Sequence, residues 1–390
     1  MAARAKAKAE AAEDPVLWLR LIRSRRVGAV TFHRLMAEHG GAAAALAALP
    51  AVASAAGVEN YAACPVEVAR HEMATGRLAG AQLLLWGQPG YPAALMDLPD
   101  APPVLWAKGR LDLLARPMVA LVGARNASSL GQRMARRLAE GLGAAGQVVV
   151  SGLARGIDAE AHRASLATGT VAVQAGGIDV AYPEENAVLM AEIAVKGCLL
   201  SEQPPGCQPQ TRHFPQRNRI VSGLARAVVV VEAAARSGSL ITAKNALDQG
   251  REVLAVPGHP FDARATGCNQ LLRDGAVLVR GPQDVLEAIG HQPAAPVPAA
   301  AADRELAAAH PVAEPLPGPV PLRRPLSDIA AVHGQILARL GPSPMAEDQL
   351  IRDLAMPPAT LAPALITLEL EGRIERQAGG LLARVERGPA

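Results

Sequence analysis

The sequence predicts an α/β protein with a parallel sheet at its centre, an N-terminal helical domain and a C-terminal winged-helix domain. Three observations predict this fold class. β-branched runs alternate with amphipathic helices across residues 81–290, whereas residues 1–80 contain no strand-like run. A Pro/Ala-rich stretch then precedes a short segment that combines helical periodicity with two strands. We therefore expect domains at 1–80, 81–290 and 327–390, with a linker at 291–326.

The helical domain, 1–80, is predicted from its periodicity. From residue 14 onward, Ala and Leu recur at the spacing of helices that bury one face. Residues 20–40 contain a basic segment, Arg23, Arg25 and Arg26, before a turn at Gly28. A turn of this kind can hold a phosphate on its backbone amides, but a solvated basic helix end explains the same arginines equally well.

The core, 81–290, is predicted to hold a sheet with helices on both sides. Continuous Val-rich runs are typical of strands that are buried on both faces, which favours parallel pairing. The runs are VALVG, QVVVSG, TVAVQAGG, CLLSE, AVVVVEAA and EVLAVPG. After the first run, a helix is expected to carry Met134, Leu138 and Leu142 on one stripe and to stop at Gly146. The later run LRDGAVLVR fits either an edge strand at a dimer interface or a plain core strand.

The C-terminal segment has the plan of a winged helix. Proline and alanine dominate 291–326, which predicts a semi-extended linker. Helical periodicity follows in IAAVHGQILARL, AEDQLIRDLA and PATLAPALITLELEG, and RIERQAGGLLARV then predicts two strands around Gly379 and Gly380. Three helices followed by a β-hairpin are typical of a winged helix-turn-helix.

Composition narrows the functional classes. The net charge is only +3, and no apolar run approaches the ~20 residues of a membrane span. Cys64, Cys198, Cys207 and Cys268 lie far apart with no CxxC pair, so we expect neither disulfides nor a metal site. These features predict a cytoplasmic protein without a membrane span.

The first candidate binding turn is GARNASSLG, which follows the first Val-rich run. Gly123 ends the strand, and the following amides open a helix, where an anion is stabilised by the helix dipole. Arg125 stands where a dinucleotide-binding motif would place its second glycine, and the acidic residue expected ~20 positions on is missing. We therefore exclude a dinucleotide and expect Arg125 to contact a phosphate or to stack on a base.

The second turn, SGLARGIDAEAH, repeats the strand–glycine–helix design. It begins at Ser151, and Gly152 and Gly156 are expected to let a ligand approach the backbone closely. Arg155 either reaches a phosphate or is a solvated loop charge. We expect Asp158 in the first helical turn to act in capping and His162 to be a packed or partly exposed helix residue, not a catalytic base.

The third cluster lies in TRHFPQRNRIVSGLA. Around Phe214 and Asn218 it gathers four basic or imidazole side chains, Arg212, His213, Arg217 and Arg219. They combine charge for a backbone with a π-face for a base, which a single-strand groove requires. A basic surface loop that leads into a helix fits the same residues equally well.

The fourth turn, AAARSGSLITAKNA, offers amides and hydroxyls at Ser237, Gly238 and Ser239 that can cradle a phosphate. Lys244, about one helical turn further on, faces either the same site or solvent. Because the carboxyl ends of parallel strands meet at one edge of a sheet, the four turns are expected to converge. No paired carboxylates, nucleophile triad, metal-ligand spacing or Walker loop accompanies them, so we predict a binding protein without catalytic residues or cofactor.

In this order the turns resemble the DNA-processing protein A (DprA/Smf) family. The resemblance runs over roughly 200 residues through VALVGARNAS, VVSGLARGIDAEAH, GGIDVAYPEEN, LLSEQPPG, HFPQRNRIVSGLA, VVVVEAAARSGSLITA and VLAVPGHPFDARATGCNQLLRDGA. It implies a Rossmann-like core with a SAM or helix-hairpin-helix domain before it and a winged helix after it. It also implies binding of single-stranded DNA, protection of incoming strands, loading of the recombinase RecA in natural transformation and recombination, and self-association as a homodimer or larger through the Rossmann-like domain.

The family pattern, transferred position by position, places DNA contacts at Arg125, at the Gly152 turn, at the basic residue before Phe214, at Asn218 and Arg219, and at the loop from Ser237 to Ser239. Two departures stand out. Glu184 and Glu185 occupy positions where some members carry lysine. Thr211 holds the place of the basic residue before Phe214, with Arg212 next to it as a substitute.

Two other classes of protein compete with this interpretation. Phosphoribohydrolases that resemble lysine decarboxylases carry a PGGxGTxxE turn, but here Ile241, Thr242 and Ala243 fall where the glutamate belongs. A transcription regulator would use the winged helix on duplex DNA, which the acidic character of that domain disfavours.

Overall fold

The structure is a computed structural model that describes residues 14–290, 332–337, 340, 345–346, 350–351, 354, 356–377 and 381–384. The chain divides into two compact units, Met1–Ala299 and Ala300–Ala390. The predicted linker 291–326 and the Gly379–Gly380 turn lie outside the described residues.

In the described part of the chain before residue 80, helices are the only regular secondary structure, as the sequence predicts. They are α1 (Pro15–Arg23), α2 (Ala29–His39), α3 (Ala42–Ala55) and α4 (Val66–Leu78). Helix α1 starts at Asp14, whose carboxylate accepts a hydrogen bond of 2.9 Å from the amide of Val16 and so satisfies one of the amides at the helix start. Trp18 and Phe32 pack at the centre of this bundle with their rings 5.1 Å apart.

A single sheet runs through residues 82–278, all of which the structure describes. Its strands are β1 (Gln82–Leu85), β2 (Val104–Gly109), β3 (Met118–Gly123), β4 (Val148–Ser151), β5 (Thr170–Gln174), β6 (Cys198–Ser201), β7 (Ala227–Glu232), β8 (Glu252–Ala255) and β9 (Val277–Leu278). Their order is β1-β2-β6-β5-β4-β3-β7-β8-β9. The strands from β6 to β9 in this order are parallel, which confirms the predicted parallel sheet. The antiparallel pair β1–β2, at the β6 side, was not predicted.

Helices cover both faces of the sheet. They are α5 (Ala93–Met96), α6 (Ser129–Ala144), α7 (Ile157–Ser165), α8 (Ala187–Lys196), α9 (His213–Leu224), α10 (Ser239–Asp248), α11 (Thr266–Arg273) and α12 (Pro282–Ala288). Alternate side chains of β3 pack on opposite faces of the sheet. Val119 and Leu121 pack with α6 and α7, whereas Ala120 and Val122 pack with α9 and α10. This two-sided burial explains why the strands read as continuous apolar runs.

Helix α6 and strand β9 test two predictions made from the sequence. Leu138 and Leu142 of α6 are fully buried, and the chain leaves the helix through Gly146 at φ +79°. Strand β9 lies at the end of the sheet, where Val277 and Leu278 are 41% and 45% exposed. Of the two predicted alternatives, the structure therefore favours an edge strand.

The second unit has a winged-helix core, as predicted. Residues 332–337 are helical, α13 spans Pro358–Leu370, and a hairpin joins β11 (Ile374–Gln377) to β12 (Leu381–Arg384). A short strand, β10 (Met345–Ala346), pairs with β12 and was not predicted. Buried side chains from these segments, among them Ile336, Leu365 and Leu382, form one cluster.

No described helix is by itself long and apolar enough to cross a bilayer. Helices α2 and α3 meet the length and composition criteria only as a pair, and they are bent by 106° at their junction.

The contribution of the α6 stripe to stability is testable with a matched pair of substitutions. Leu138→Ala removes a fully buried side chain, so we expect the free energy of unfolding in urea to fall by about 2–5 kcal/mol. Leu130→Ala, on the same helix at 71% exposure, is the control and should change it by less than about 0.5 kcal/mol. Equal losses in the two variants would contradict the burial of this stripe.

Candidate nucleic-acid interface

A groove of 870 Å³ runs along the edge of the sheet at the carboxyl ends of β3 and β7. One wall is the loop after β3, another is the loop after β7, and the start of α9 closes the third side. Of the residues singled out from the sequence, this groove brings together Gly123, Arg125, Phe214, Asn218, Ser237, Gly238 and Ser239. Ala154 and Asp158 of the second turn also line it, so residues of all four predicted turns meet here, as the parallel strands that carry them require.

A smaller recess of 120 Å³ opens from the groove beneath Phe214. Arg125, Phe214 and Arg217 line both cavities, and Gly152 and Arg155 from the second turn line the recess. All four predicted turns therefore contribute to one continuous surface.

The contact between Arg125 and Phe214 is the main feature of the groove. The guanidinium carbon of Arg125 lies 5.2 Å from the ring centroid of Phe214, within the range of a cation–π interaction. Tyr182 packs on the same ring at 5.6 Å between centroids. An exposed cation is thus held over an aromatic face, next to backbone amides.

The Ser–Gly–Ser loop forms the opposite wall. The hydroxyls of Ser237 and Ser239 lie 2.7 Å apart, and the side-chain amide of Asn218 donates to the carbonyl of Gly238 at 3.4 Å. Helix α10 begins here, and the amides of Ser239, Leu240 and Ile241 are bonded within the loop, to the hydroxyl of Ser237 and to the carbonyls of Ser237 and Gly238. This wall therefore offers the hydroxyls of Ser237 and Ser239 to the groove, and Asn218 ties α9 to it.

Five of the predicted site residues lie elsewhere. Ser151 is fully buried, and its hydroxyl donates to the carbonyl of Leu121 at 2.6 Å. Gly156 lines a shallow depression of 250 Å³ beside α7, together with Arg155. Arg212 and Lys244 are exposed, and neither lines the groove. The fifth residue is Arg219.

Arg219 faces away from the groove because of its helical phase. Phe214 and Asn218 are four residues apart and share one face of α9, whereas Arg219 lies about 100° round the helix. Its guanidinium donates to both carboxylate oxygens of Glu202, at 2.7 and 2.9 Å, and approaches Asp100 at 3.3 Å. Arg219 therefore holds α9 in place and does not reach a ligand in the groove.

The predicted basic position before Phe214 is occupied by Thr211. Thr211 lines the groove, whereas the side chain of Arg212 turns to the ring of His213, at 3.5 Å. At the other predicted departure, Glu185 lines the recess and forms an ion pair of 3.2 Å with Arg155. Sequence reasoning gave Arg155 no partner.

Arg217 is the residue that sequence reasoning undervalued. It is only 8% exposed, and its Nη1 lies 3.8 Å from the carboxylate of Asp158. Burial lowers the pKa of Arg217 and raises the pKa of Asp158 from their ordinary values. The Asp158 carboxylate also accepts from the amides of Gly152 and Ala154, at 3.1 and 3.4 Å, so it organises the loop before α7.

The two glycines of the second turn serve the packing of loops. A Cβ at Gly152 would collide with the guanidinium of Arg217, and one at Gly156 would collide with the carbonyl of Ala124. Gly156 also adopts φ +73°, where side chains are strained. The predicted close approach is therefore made by parts of the protein itself.

His162 is a packed residue, which is one of the two predicted alternatives. It is fully buried, its Nε2 accepts from the amide of Leu153 at 3.3 Å, and its Nδ1 lies 2.7 Å from the hydroxyl of Thr170. Burial, together with the charge of Arg217, lowers the pKa of His162 to about 3. Within the described residues no group of three His, Cys, Asp or Glu side chains is placed to hold a metal ion.

Comparison with known proteins identifies the class to which this fold and groove belong. Residues 82–290 match the family described as DNA recombination-mediator protein A, residues 12–75 match the DprA-like N-terminal HHH domain, and residues 320–380 match the DprA winged helix domain. The chain belongs to the DNA processing protein A (DprA/Smf) family.

Individual relatives agree with this assignment. Protein Smf of Synechocystis is 36% identical over 313 residues, which cover 76% of this chain and 79% of that protein. DNA processing protein DprA of Streptococcus pneumoniae is 48% identical over 198 residues, which cover 50% of this chain and 70% of that protein. The X-ray structure of the pneumococcal protein superposes with a TM-score of 0.52 at 45% identity and covers 53% of this chain and 74% of its own.

A second solved structure, of DNA processing protein A from Helicobacter pylori, superposes with a TM-score of 0.50 at 29% identity. It covers 54% of this chain and 97% of its own, and it describes that protein's mode of single-stranded DNA binding.

The buried histidine makes stability depend on pH in a defined window. Because the folded pKa of about 3 lies below the ordinary 6.5, the unfolded chain binds the proton first. This contribution to stability is intact above pH 6.5 and falls as pH decreases toward 3, by up to about 1.4 kcal/mol per pH unit. Urea unfolding between pH 7 and pH 5 should show this loss in the wild type and not in His162→Gln.

Asp158 is present in both the wild type and His162→Gln, and its raised pKa changes stability with pH in the opposite direction. The difference between the two proteins removes this contribution. His71→Gln replaces an exposed histidine on α4 and is the matched control. If His162→Gln and wild type lose stability equally between pH 7 and pH 5, His162 is not neutral in the folded protein.

Proposed function

We propose that this protein binds single-stranded DNA along the groove at the carboxyl ends of β3 and β7. The observation that carries the proposal is the cation of Arg125 over the ring of Phe214, in a groove between the loop after β3 and the hydroxyl-bearing loop from Ser237 to Ser239. Single-strand binders combine charge for the phosphates with aromatic faces for the bases. The single-strand binding described for the Helicobacter pylori relative supports the same interpretation.

The direct contacts in this proposal are the groove residues Gly123, Arg125, Phe214, Asn218, Ser237, Gly238 and Ser239, with Gly152 and Arg155 in the recess. Arg212, Lys244 and Gly156 stand at the margin and extend the charged surface. Ser151 and Arg219 do not contact the strand in this proposal. The hydroxyl of Ser151 and the guanidinium of Arg219 are hydrogen-bonded within the protein, so they hold neighbouring residues in place.

In the cell, the proposed role is to protect incoming single strands and to load the recombinase RecA on them during natural transformation and recombination. Membership of the DprA/Smf family supports this role. Strand-dependent ATP hydrolysis by RecA, measured with and without this protein on strands coated with a competing single-strand binder, tests the loading step. Stimulation is expected, and no change at saturating protein would contradict it.

We propose no enzymatic activity and no cofactor. Asp158 is the carboxylate that lines the groove among the described residues, and it is buried against Arg217. Ile241 and Thr242 line the groove where a phosphoribohydrolase would place its glutamate. Release of a free base from nucleoside monophosphates would contradict this assignment.

Self-association through the Rossmann-like core, a cytoplasmic location and the division 1–80, 81–290, 291–326 and 327–390 complete the proposal. The exposed apolar residues Val277 and Leu278 on the edge strand support self-association, because an unpaired edge is a template for pairing. The family matches at 12–75, 82–290 and 320–380 support the division.

The single-strand proposal is tested by Arg125→Ala. Loss of this cation should weaken binding of a labelled single strand of ~20 nucleotides by about tenfold and reduce the log–log salt slope by about 0.7. Arg110→Ala is the control, because Arg110 is similarly exposed but follows β2 beside the first residue of β6, at the opposite end of the sheet.

Two outcomes would contradict the proposal. One is equal loss of affinity in both variants. The other is tight binding of AMP by the wild type without binding of the single strand, which would make the groove a mononucleotide site.

A further inference from the structure

We propose that the recess beneath Phe214 is a guanine-selective base pocket within a groove that otherwise binds any single strand. The inference rests on the proposed single-strand function and adds base selectivity to it. The recess is lined by Arg125, Arg155, Tyr182, Glu185, Phe214 and Arg217, together with backbone of the Gly152 turn.

The floor of the recess carries a buried cation whose hydrogen-bonding capacity is unused. Arg217 is 8% exposed, and among the described residues its guanidinium donates no hydrogen bond; its Nε is buried without a partner. The carboxylate of Asp158 lies 3.8 Å from its Nη1, beyond hydrogen-bond distance. Buried donors of a guanidinium are costly when unsatisfied, so this arrangement indicates a ligand that supplies acceptors.

The walls of the recess suit a flat ring. Tyr182 and Phe214 meet at 5.6 Å between centroids with an angle of 54°, and the guanidinium carbon of Arg125 lies 5.2 Å from the Phe214 ring centroid. A water molecule occupies about 30 Å³ of liquid, so 120 Å³ accommodates roughly four waters, or the leading edge of one base. A base that enters from the groove would lie against the rings of Tyr182 and Phe214 with its edge toward Arg217.

Glu185 supplies acceptors at the mouth of the recess. Its ion pair with Arg155 joins side chains that are 53% and 59% exposed, and such surface pairs contribute little to stability. The pair can therefore separate when a ligand enters. An ionised carboxylate only accepts hydrogen bonds, so Glu185 requires donors on the ligand.

A base that fits the recess must present hydrogen-bond acceptors to Arg217 and donors to Glu185. Guanine presents O6 and N7 as neighbouring acceptors, the pair that arginine contacts with two hydrogen bonds. Its Watson–Crick edge adds the N1 and N2 donors that a carboxylate accepts. Thymine has no exocyclic amino group, and adenine places a donor beside its N7.

A phosphate is a poorer occupant than a base. Glu185 at the mouth of the recess would repel it. Glu185 does not line the main groove, where the exposed Arg125 and the hydroxyls of Ser237 and Ser239 suit the phosphates of the same strand.

The test is competition against labelled (dT)17 by unlabelled 17-mers of dT that carry one central dG, dA, dC, inosine or 7-deazaguanine. Because the strand can slide, a single dG reaches the recess. We expect the dG oligomer to compete about tenfold better than (dT)17, within the range of one bidentate base contact. Inosine lacks the amino group that faces Glu185, and 7-deazaguanine lacks the N7 acceptor for Arg217, so each should lose most of this gain.

Variants of this chain separate base selection from strand binding. Glu185→Gln should bring the dG and inosine oligomers to within about twofold of each other, because the ionised carboxylate becomes a neutral amide with one acceptor oxygen and two donor hydrogens. Glu184→Gln is the matched control; it is exposed, does not line the recess and should keep the preference. Neither substitution disturbs the buried Arg217.

The outcomes distinguish the two proposals. If (dT)17 binds and the dG oligomer competes no better, the base pocket is wrong and the single-strand function stands. If no oligomer binds, both fail. Two results together would overturn the assignment to this recess. One is that Glu185→Gln still prefers the dG oligomer, and the other is that 7-deazaguanine competes as well as guanine.

Discussion

The buried contact between Arg217 and Asp158 is the interaction on which the binding edge depends. It joins helix α9 to the first turn of α7, and the same carboxylate holds the amides of Gly152 and Ala154. Two charges buried together lose their hydration, and removal of one leaves the other uncompensated, at a cost of about 3–5 kcal/mol. Gly152 leaves room for the guanidinium, so the shape of the second turn follows from this pair.

A second network connects α9 to the N-terminal helices. Glu72 accepts two hydrogen bonds from Arg23 and one of 3.0 Å from the indole of Trp106 on β2. Arg23 also donates to the backbone carbonyl of Glu202, whose carboxylate holds Arg219. Arg23, which has the sequence context of a phosphate-binding or solvated cation, is therefore a structural residue. The helical domain thus helps to fix the position of α9, which carries Phe214 and Asn218 toward the groove.

The sequence was sufficient for the fold class because burial on both faces leaves a direct signal, the continuous Val-rich runs. The pair β1–β2 was missed because neither strand has the continuous Val-rich run of the parallel strands, and QLLL resembles the helical segments before it. The approximate location of the site was also predictable, since parallel strands bring their following turns together. What could not be predicted was the function of each arginine. Arg217 and Arg219 are two residues apart in the same basic cluster, yet helical phase and acidic partners distant in sequence turn one to the groove floor and the other to Glu202.

The central claim is that a single strand lies along the carboxyl-end edge of the sheet, with a base near Phe214. It is tested most directly by photo-crosslinking the full chain to an oligonucleotide that carries 5-iodouracil at successive positions, followed by peptide mass spectrometry. Crosslinks should concentrate on Tyr182 and Phe214, because these rings line the recess and the mouth of the groove. Crosslinks confined to the N-terminal turn near Arg25 and Arg26, or to the C-terminal unit, would place the strand elsewhere and contradict the account.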